Sequence, residues 1–327
     1  MSSPTVSIII VSWNTREILR DCLRTVYEQT RDVAFEVIVV DNASADGSVD
    51  MIRTAFPQVL LLANTANRGF AAANNQGIER AQGRYVLLLN PDTLVLDGAI
   101  DKMVSFAEGH PEAAAAACRV LNADRTWQPT CFLFPSALNL LIGALYLNKL
   151  FPRNRFCGRE RMTWWEGRET RAVDVVAGCF ILVRRAAIEQ VGVLDESYFM
   201  YGEETDWCYR FRKAGWQVVF TPAAQIVHLG GASSARLKGP MCLQLRASIL
   251  LFLRKHRGMA SYVAGCVFVS LFFLLRLPVW LATAAMSGGA RSENWETART
   301  YAAGFWRALY GWKALCVQKQ AKTPACT

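Results

Sequence analysis

Short apolar runs alternate with longer amphipathic stretches along residues 5–100, the pattern of βαβ units around a mostly parallel sheet. The β-branched runs predict strands at Val6–Ser12, Phe35–Val40, Val59–Ala63 and Tyr85–Leu89. The amphipathic stretches between them predict helices over residues 15–29, 47–55 and 71–81. We therefore expect an α/β fold with a mixed, mostly parallel sheet and flanking helices.

The pattern is less regular between residues 101 and 230. An apolar run interrupted by one glycine predicts a strand at Val175–Val183, and a short helix follows at Arg185–Val191. Val218–Phe220 and Gln225–His228 are predicted as two short extended segments.

Apolar positions dominate after residue 240. Leu243–Leu253 is predicted as an apolar helix, and Tyr262–Met286 follows with 25 residues that include one charge, Arg276, and one proline, Pro278. Such a length can cross a bilayer. An arginine at mid-span costs roughly 2.5–3.5 kcal/mol, and a proline bends a helix. A single span and a kinked helix lying in the membrane face therefore both stay open.

A further stripe of aromatic and small residues recurs at spacings of three and four: Trp295, Ala298, Ala302, Phe305, Leu309 and Trp312. It predicts a helix that packs in a core or lies at a membrane interface. Together these features predict two domains. Residues 1–240 would form the α/β domain, and residues 241–327 a C-terminal region of membrane-associated helices.

The net charge of +9 is concentrated in one part of the chain. Between Asp206 and Glu293 there is no Asp or Glu, whereas arginine and lysine are frequent. Such a block predicts an anionic partner, namely a membrane surface, a nucleic acid, or a phosphorylated lipid or nucleotide. The adjoining apolar segment favours the membrane, so we expect no nucleic-acid partner.

Ten cysteines are scattered without a CxxC pair, which argues against a zinc site or a dense disulfide framework. The first residues lead into a strand without the apolar core of a signal peptide. These two features predict a reducing compartment.

Polar residues cluster at or just after the ends of four predicted strands. The clusters are Ser12-Trp13-Asn14, Asp41-Asn42-Ala43-Ser44, Asn67-Arg68-Gly69-Phe70 with Asn74-Asn75, and Asn90-Pro91-Asp92. Each alone suits a helix cap or a turn. However, parallel strands bring their carboxyl ends to one ligand-binding edge, so four clusters predict a site for a phosphate-bearing ligand. The Asp92 carboxylate suits Mg²⁺ or Mn²⁺ shared with substrate phosphates.

Two common phosphate-binding motifs are absent from the sequence. No GxGxxG follows the first strand, and no GxxxxGK[ST] occurs. Their absence argues against a dinucleotide-dependent oxidoreductase and against a P-loop NTPase.

Seven segments carry a resemblance to a known family: Val6–Asn14, Val39–Gly47, Asn67–Asn75, Leu87–Thr93, Ala177–Arg185, Phe199–Arg210 and His228. In this order and spacing they resemble the GT-A-fold, family 2 inverting glycosyltransferases, especially the rhamnosyltransferase-like branch that decorates lipid-linked glycans. The resemblance covers about residues 5–260. It implies a GT-A (Rossmann-like) fold and a nucleotide-diphosphate sugar donor.

The resemblance also implies the residues that bind the donor. Asp41 would contact the nucleoside, and Arg68 and Asn75 would line the same pocket. We expect four further residues at this ligand edge, namely Ser12, Asn14, Asn42 and Asn90.

The metal site is expected at the DxD motif, which here reads Asn90-Pro91-Asp92. Asp92 would be its metal-binding end, for Mn²⁺ or Mg²⁺, and Asn90 removes one carboxylate from the metal. His228 would be a further metal ligand, although a histidine satisfied within the core is the alternative.

The catalytic base is expected at Glu203-Glu204, which matches the ED motif of the family. Glu204 would accept the proton of the acceptor hydroxyl, and Asp206 is the second candidate. On a helix Glu203 and Asp206 share one face while Glu204 points elsewhere, so the base could instead lie on the Glu203 face. An acidic helix start stabilised by the helix dipole is a structural interpretation compatible with catalysis.

We therefore expect a metal-dependent enzyme that moves a sugar to a lipid-linked saccharide at the cytoplasmic face of the cell membrane. The resemblance alone points to rhamnose, carried on dTDP. A sugar-phosphate nucleotidyltransferase is one alternative, but it would need a Gly-rich basic loop where Ser12-Trp13-Asn14-Thr15 lies. A catalytically inactive membrane scaffold is the other, because Asn90 replaces an acid. The sequence does not predict the oligomeric state.

Overall fold

The structure is a computed structural model that describes residues 3–230, 238–286 and 293–311. The chain forms two compact units. The first holds the described residues of Met1–Phe134, Trp165–Phe199 and Glu203–Ala235, and the second those of Pro135–Trp164, Met200–Gly202 and Arg236–Thr327. Residues 135–164 thus belong to the second unit, although the sequence prediction assigned them to the first domain. The two-domain division itself stays a prediction.

The described ranges contain strands and helices in alternation. The strands are β1 (Val6–Ser12), β2 (Phe35–Asp41), β3 (Leu60–Ala63), β4 (Tyr85–Leu89), β5 (Thr93–Val95), β6 (Ala113–Leu121), β7 (Trp127–Gln128), β8 (Cys131–Phe132), β9 (Arg171–Ala172), β10 (Val175–Val176), β11 (Phe180–Arg184) and β12 (Gln217–His228). The helices are α1 (Arg16–Gln29), α2 (Ser48–Ala55), α3 (Phe70–Arg80), α4 (Ala99–Glu108), α5 (Ala137–Ala144), α6 (Leu147–Leu150), α7 (Arg185–Val191), α8 (Glu203–Lys213), α9 (Lys238–His256), α10 (Gly258–Met286) and α11 (Glu293–Leu309).

The first half of the main sheet is parallel, as the sequence predicts. Its strands lie in the order β3-β2-β1-β4, and Val6 of β1 lies between Phe35 of β2 and Tyr85 of β4. β1 is buried along its whole length, which explains why it is a continuous apolar run rather than an alternating one. The four predicted strands and three predicted helices of this half are confirmed to within one residue.

The core of the first unit lies between this sheet and its helices. α1 buries Leu19, Cys22 and Leu23 in the same apolar cluster as Ile8 and Ile10 of β1. Burial of each large apolar side chain stabilises the fold by roughly 1.5–3 kcal/mol. The 3.6-residue spacing that predicted α1 is therefore the spacing of its buried face.

The second half of the sheet mixes directions. It continues β4-β11-β6-β12-β5, with β11 antiparallel to both of its neighbours and β12 parallel to β6. The single strand predicted at Val175–Val183 is wrong, because β10 pairs with β8 in a separate two-stranded sheet. The two segments predicted near residues 218–228 form one strand, β12, with an irregularity between Thr221 and Gln225. The mixed α/β sheet with flanking helices is confirmed.

The second unit is helical, and it encloses the one charge of α10. Arg276 is buried, and its guanidinium donates hydrogen bonds to the carbonyl oxygens of Gly143 (2.8 Å) and Ala144 (3.1 Å) at the end of α5. It also stacks 3.6 Å from the centre of the Tyr146 ring. α10 continues through Pro278. By length and composition, it is the one described helix that could cross a membrane.

The packed face of α11 differs from the predicted stripe. Ala298, Gly304 and Ala308 are buried, whereas Leu309 is 51% exposed. Trp312, the last residue of the predicted stripe, lies outside the described residues. Small residues therefore define the contact face, and the larger apolar residues lie partly outside it.

Candidate active site

Three of the four polar clusters are joined by hydrogen bonds at one edge of the sheet. The backbone N–H of Asn42 donates to the carbonyl of Ser12 (2.8 Å), and the Asn42 side chain donates to Asn67 Oδ1 and to the carbonyl of Gly69 (both 3.1 Å). Asn42 Oδ1 in turn accepts from the backbone N–H of Arg68 (3.2 Å). The loops that follow β1, β2 and β3 are thus held together through one buried asparagine.

Asp41 and Asn14 lie at this edge with different bonding. Asp41 is buried, and its Oδ1 accepts from the backbone N–H of Ser44 (2.9 Å). Its Oδ2 is also buried and has no hydrogen-bond partner among the described residues. A buried acceptor left unpaired costs about 1–3 kcal/mol, so this oxygen is suited to accept from a ligand. Asn14, at φ +54°, accepts from the N–H of Ala45 through its side chain.

Gly69 and Asn75 connect the ligand edge to the loop after α7. Gly69 has φ +85°, and a Cβ there would lie 2.6 Å from the carbonyl oxygen of Phe199. The Asn75 side chain accepts from the N–H of Leu194 (3.0 Å) and donates to its carbonyl (2.9 Å). Asn75 therefore fixes this loop, and the side chain of Arg68 is exposed. Donor contacts by both residues stay predictions.

Asp92 and His228 come together although they are far apart in the sequence. β5 pairs with the end of β12, so that Thr93 lies opposite His228. His228 Nε2 is 3.2 Å from Asp92 Oδ1, and Asn90 Nδ2 is 3.5 Å from the same nitrogen. Asp92 and His228 are both largely shielded from solvent, with 8% and 16% of their side chains exposed. The structure thus brings together the residues predicted to hold the metal.

The pair suits a divalent cation that is shared with substrate. A carboxylate oxygen and an imidazole nitrogen 3.2 Å apart can bind one cation together, and donor phosphate oxygens or water can complete its coordination. Among the described residues, no group of three or more His, Cys, Asp or Glu side chains converges in this way. The residues present therefore fit a cation held partly by the protein and partly by the donor.

The three acids at the start of α8 occupy different environments. Glu203 and Asp206 are buried, on the shared face that the helical spacing predicts. Asp206 Oδ2 accepts from Arg210 Nε at 2.7 Å, and Arg210 also donates to the carbonyl of Val191 at 2.6 Å. Asp206 thus forms an ion pair that fastens α8 to the end of α7. The side chain of Glu204 is only half-buried.

Glu203 is buried without full hydrogen bonding. Its Oε2 has no hydrogen-bond partner among the described residues. Burial, followed by the charge of Glu204, raises the pKa of the Glu203 carboxyl well above its ordinary value. Glu203 is therefore suited to carry a proton, whereas Glu204 is the more accessible of the two carboxyl groups.

Gly178 and Cys179 lie between the two acidic groups. The Cys179 carbonyl accepts from the N–H of Asn90 (3.0 Å), and a Cβ added to Gly178 would lie 3.9 Å from Glu204 Cβ. Burial raises the pKa of the Cys179 thiol to about 12, and the charges of Asp92 and Glu204 act in the same direction. The segment that holds Gly178 and Cys179 thus lies close to both Glu204 and the loop after β4.

Sequence reasoning missed Gln128, whose Oε1 lies 2.8 Å from His228 Nδ1. A single glutamine in a short hairpin gives no sequence signal of such a contact. Trp165 and Trp207 are buried and pack in the core of the first unit. Trp207 also donates through Nε1 to the carbonyl of Gly192 (2.9 Å).

The fold and this constellation define the GT-A class of nucleotide-sugar transferases. Residues 7–161 match the sequence model of a family described as Glycosyl transferase family 2. The N-acetylglucosaminyl-diphospho-decaprenol L-rhamnosyltransferase of Mycobacterium tuberculosis is 32% identical over 236 residues, which cover 68% of this chain and 76% of that protein. The chain belongs to the family 2 glycosyltransferases, in their rhamnosyltransferase-like branch.

Two further comparisons agree with this assignment. The O-antigen biosynthesis protein RfbC of Myxococcus xanthus is 26% identical over 71% of this chain and 18% of its own length. The structure of mannosyltransferase PcManGT from Pyrobaculum calidifontis, in complex with GDP-Man and Mn²⁺, shares the fold with a TM-score of 0.56. The match is 17% identical and covers 96% of this chain and 89% of that one. The chain is thus an enzyme, and the nucleotidyltransferase and inactive-scaffold interpretations are set aside.

Proposed function

We propose that this glycosyltransferase moves a rhamnosyl group from a dTDP-linked donor to a lipid-linked diphosphate saccharide, with inversion and with a divalent cation. The observation that carries the proposal is that Asp92 and Glu204, from distant parts of the sequence, both lie close to the Gly178–Cys179 segment. The name of the Mycobacterium tuberculosis relative supports the choice of sugar and of acceptor.

Asp92 and His228 serve the leaving group in this proposal. A bound divalent cation would neutralise the charge that develops on the departing nucleoside diphosphate. Asp92 Oδ1 and His228 Nε2 would hold that cation, and their burial strengthens the interaction by excluding water. Asp41 Oδ2, the unpaired buried acceptor, is suited to bind a donor group of the nucleoside.

Glu204 serves the acceptor. Its carboxylate takes the proton as the acceptor hydroxyl oxygen forms a bond to the anomeric carbon, while the bond from that carbon to the diphosphate oxygen breaks. The attacking and leaving oxygens must lie on opposite faces of the sugar, which inverts the anomeric centre. Separate positions for the base and for the metal ligands suit this in-line geometry.

We place the reaction at the cytoplasmic face of the cell membrane. The apolar length of α10 and the stretch without acids between Asp206 and Glu293 support association with an anionic bilayer. A lipid-linked acceptor is confined to the same surface, so association would bring the enzyme and its acceptor together.

The test is release of nucleoside diphosphate by the full chain purified in detergent. A panel of nucleotide sugars is supplied with lipid-linked acceptor, with EDTA and then with Mn²⁺. Asp92→Asn is compared with Asp97→Asn, a fully exposed carboxylate nearby. We expect lipid-stimulated release from dTDP-rhamnose that EDTA abolishes, Mn²⁺ restores and only Asp92→Asn removes.

Each part of the proposal can be contradicted separately. Release from a different nucleotide sugar alone would refute rhamnose as the donor sugar. Full activity in EDTA would refute the metal requirement. No release from any donor in the presence of acceptor lipid would refute transfer to that acceptor.

A further inference from the structure

The hairpin between β6 and β7 carries a continuous row of hydrogen-bonded polar side chains that ends at His228. Asp124 Oδ1 lies 2.6 Å from Thr126 Oγ1, which lies 2.9 Å from Asn122 Nδ2. Asn122 Oδ1 lies 3.0 Å from Gln128 Nε2, and Gln128 Oε1 lies 2.8 Å from His228 Nδ1. Every contact is short enough for a good hydrogen bond.

The direction of every bond in this row follows from its first member. An ionised carboxylate can only accept, so the Thr126 hydroxyl donates to Asp124. The hydrogen bond from that hydroxyl lowers the pKa of the Asp124 carboxyl, in agreement with this direction. Since its one hydrogen is used there, Thr126 Oγ1 must accept from the Asn122 amide nitrogen.

The same reasoning fixes the remaining two bonds. With its nitrogen donating to Thr126, Asn122 presents its carbonyl oxygen to Gln128 and accepts from Gln128 Nε2. Gln128 therefore presents Oε1 to His228, and Oε1 can only accept. In the neutral imidazole the hydrogen is consequently on Nδ1, and Nε2 carries the lone pair.

The lone pair of Nε2 faces the Asp92 carboxylate at 3.2 Å. In the neutral imidazole these two electron-rich atoms repel each other at this distance, and a divalent cation bound by both would remove the repulsion. We infer that Gln128, held by Asn122 and Thr126, is a positioning residue that fixes the Nδ1–H tautomer of His228 so that Nε2 can bind the cation. This inference rests on the metal requirement of the proposed function.

The row is not required to close the hairpin. The backbone N–H of Asn122 donates to the carbonyl of Thr126 (2.8 Å), and that of Arg125 donates to the carbonyl of Asn122 (2.9 Å). These two backbone bonds close the turn without any of the side chains. Closure of the turn does not explain the row of side-chain hydrogen bonds. A role in orienting His228 does explain it.

The tautomer can be measured directly on the full chain in detergent, without metal or substrate. The chain has three histidines, so nitrogen-15 spectra of histidine-labelled protein give few signals, and His228→Ala identifies those of His228. We expect an Nδ1–H tautomer in the wild type and in Gln128→Glu, whose carboxylate also accepts. Gln128→Leu should shift His228 to the Nε2–H form, while Gln217→Leu, an exposed glutamine on the same strand as His228, should not.

Mn²⁺ binding gives the second readout. Titration of the full chain with Mn²⁺, followed by electron paramagnetic resonance, should show about 10- to 100-fold weaker binding for Gln128→Leu, the range typical of losing a hydrogen-bond partner of a metal ligand. Gln128→Glu should restore binding, which a merely structural defect would not allow.

An Nε2–H tautomer in the wild type would overturn the inference, as would a Gln128→Leu variant with unchanged tautomer and unchanged Mn²⁺ affinity. The expected tautomers and affinities in a protein that transfers no sugar would support the inference and count against the proposed reaction alone.

Discussion

Three carboxyl groups within one turn of α8 differ in their burial and in their partners, although they are chemically similar. Asp206 is in an ion pair with Arg210 at 2.7 Å, and Glu203 is buried with a raised pKa. Glu204 is the only one of the three that is not buried. A general base must be able to reach the acceptor, and we therefore propose Glu204, the most accessible of the three, as the base.

Glu204→Gln is therefore expected to lower kcat by about 10²- to 10⁴-fold, the usual contribution of a general base. Donor binding, measured by titration with dTDP, should not change, because the substitution preserves the shape of the side chain. Glu203→Gln is the matched control and should keep most of the activity. The reverse result, with Glu203→Gln inactive and Glu204→Gln active, would move the base to the Glu203 face.

The raised pKa of Glu203 predicts how the free energy of unfolding depends on pH. Its folded pKa is raised, so below its ordinary value of 4.5 both the folded and the unfolded chain carry the proton. Above that value the unfolded chain releases the proton while the folded chain keeps it. The free energy of unfolding should then fall by about 1.4 kcal/mol per pH unit until the pH passes the folded pKa.

Glu203→Gln should remove this slope, because glutamine does not titrate. Denaturation curves of the full chain in detergent, recorded between about pH 5 and pH 8, should show the variant gaining stability over the wild type as the pH rises. Glu17→Gln, at an exposed side chain, serves as the control and should follow the wild type. If the free energy of unfolding changed equally with pH in the wild type and in Glu203→Gln, the raised pKa of Glu203 would be contradicted.

At the scale of elements, hydrophobic periodicity predicted most strands and helices of the first half of the chain. Features that depend on contacts with distant segments were not predicted. β1, β2 and β4 were predicted because buried parallel strands form continuous apolar runs, and the apolar run of β3 was recognised although that strand is partly exposed. β6 contains five consecutive alanines at Ala113–Ala117, which favour no strand period, and its pairing with β11 and β12 makes it a strand. Likewise Asp92 was predicted from its position after β4, whereas Gln128 depends on β12 bringing His228 beside it.

The helices of the second unit pack through small residues that a hydrophobic stripe does not reveal. A Cβ added to Gly304 of α11 would lie 2.6 Å from Cε2 of Phe273 in α10. Gly143 of α5 offers a matched comparison, because a Cβ there would meet nothing within 4 Å. Close approach of α10 and α11 therefore depends on the missing side chain at Gly304.

Gly304→Ala should destabilise the protein by about 1–3 kcal/mol, since the Phe273 ring must move to admit the methyl group. Gly143→Ala should be neutral or stabilise by about 0.5–1 kcal/mol, because alanine favours a helix over glycine. Chemical denaturation in detergent, followed by helical circular dichroism, compares the two. Equal stabilities of Gly304→Ala and Gly143→Ala would contradict the close packing of α10 against α11.

At the scale of the whole molecule, the side chains of α10 separate into two sets. Arg276 and Phe273 are buried within the second unit, whereas Val267 and Val279 are 55% and 59% exposed. Exposed valines on a long apolar helix gain free energy by entering hydrocarbon, and the basic residues of the same region favour anionic headgroups. We therefore expect the exposed face of α10 to contact lipid, whether the helix spans the bilayer or lies in it.

The double variant Val267→Ser with Val279→Ser should bind anionic vesicles at least about tenfold more weakly than the wild type, since each change removes roughly 1 kcal/mol or more of apolar transfer. Its stability in detergent should be retained, because neither side chain is buried. Val193→Ser, the same chemical change at a 42% exposed valine of the first unit, should bind vesicles like the wild type. Flotation on a density gradient separates the bound from the free protein. Equal flotation of all three proteins would show that this face of α10 does not contact lipid, and the membrane contact would then have to be sought elsewhere on the chain.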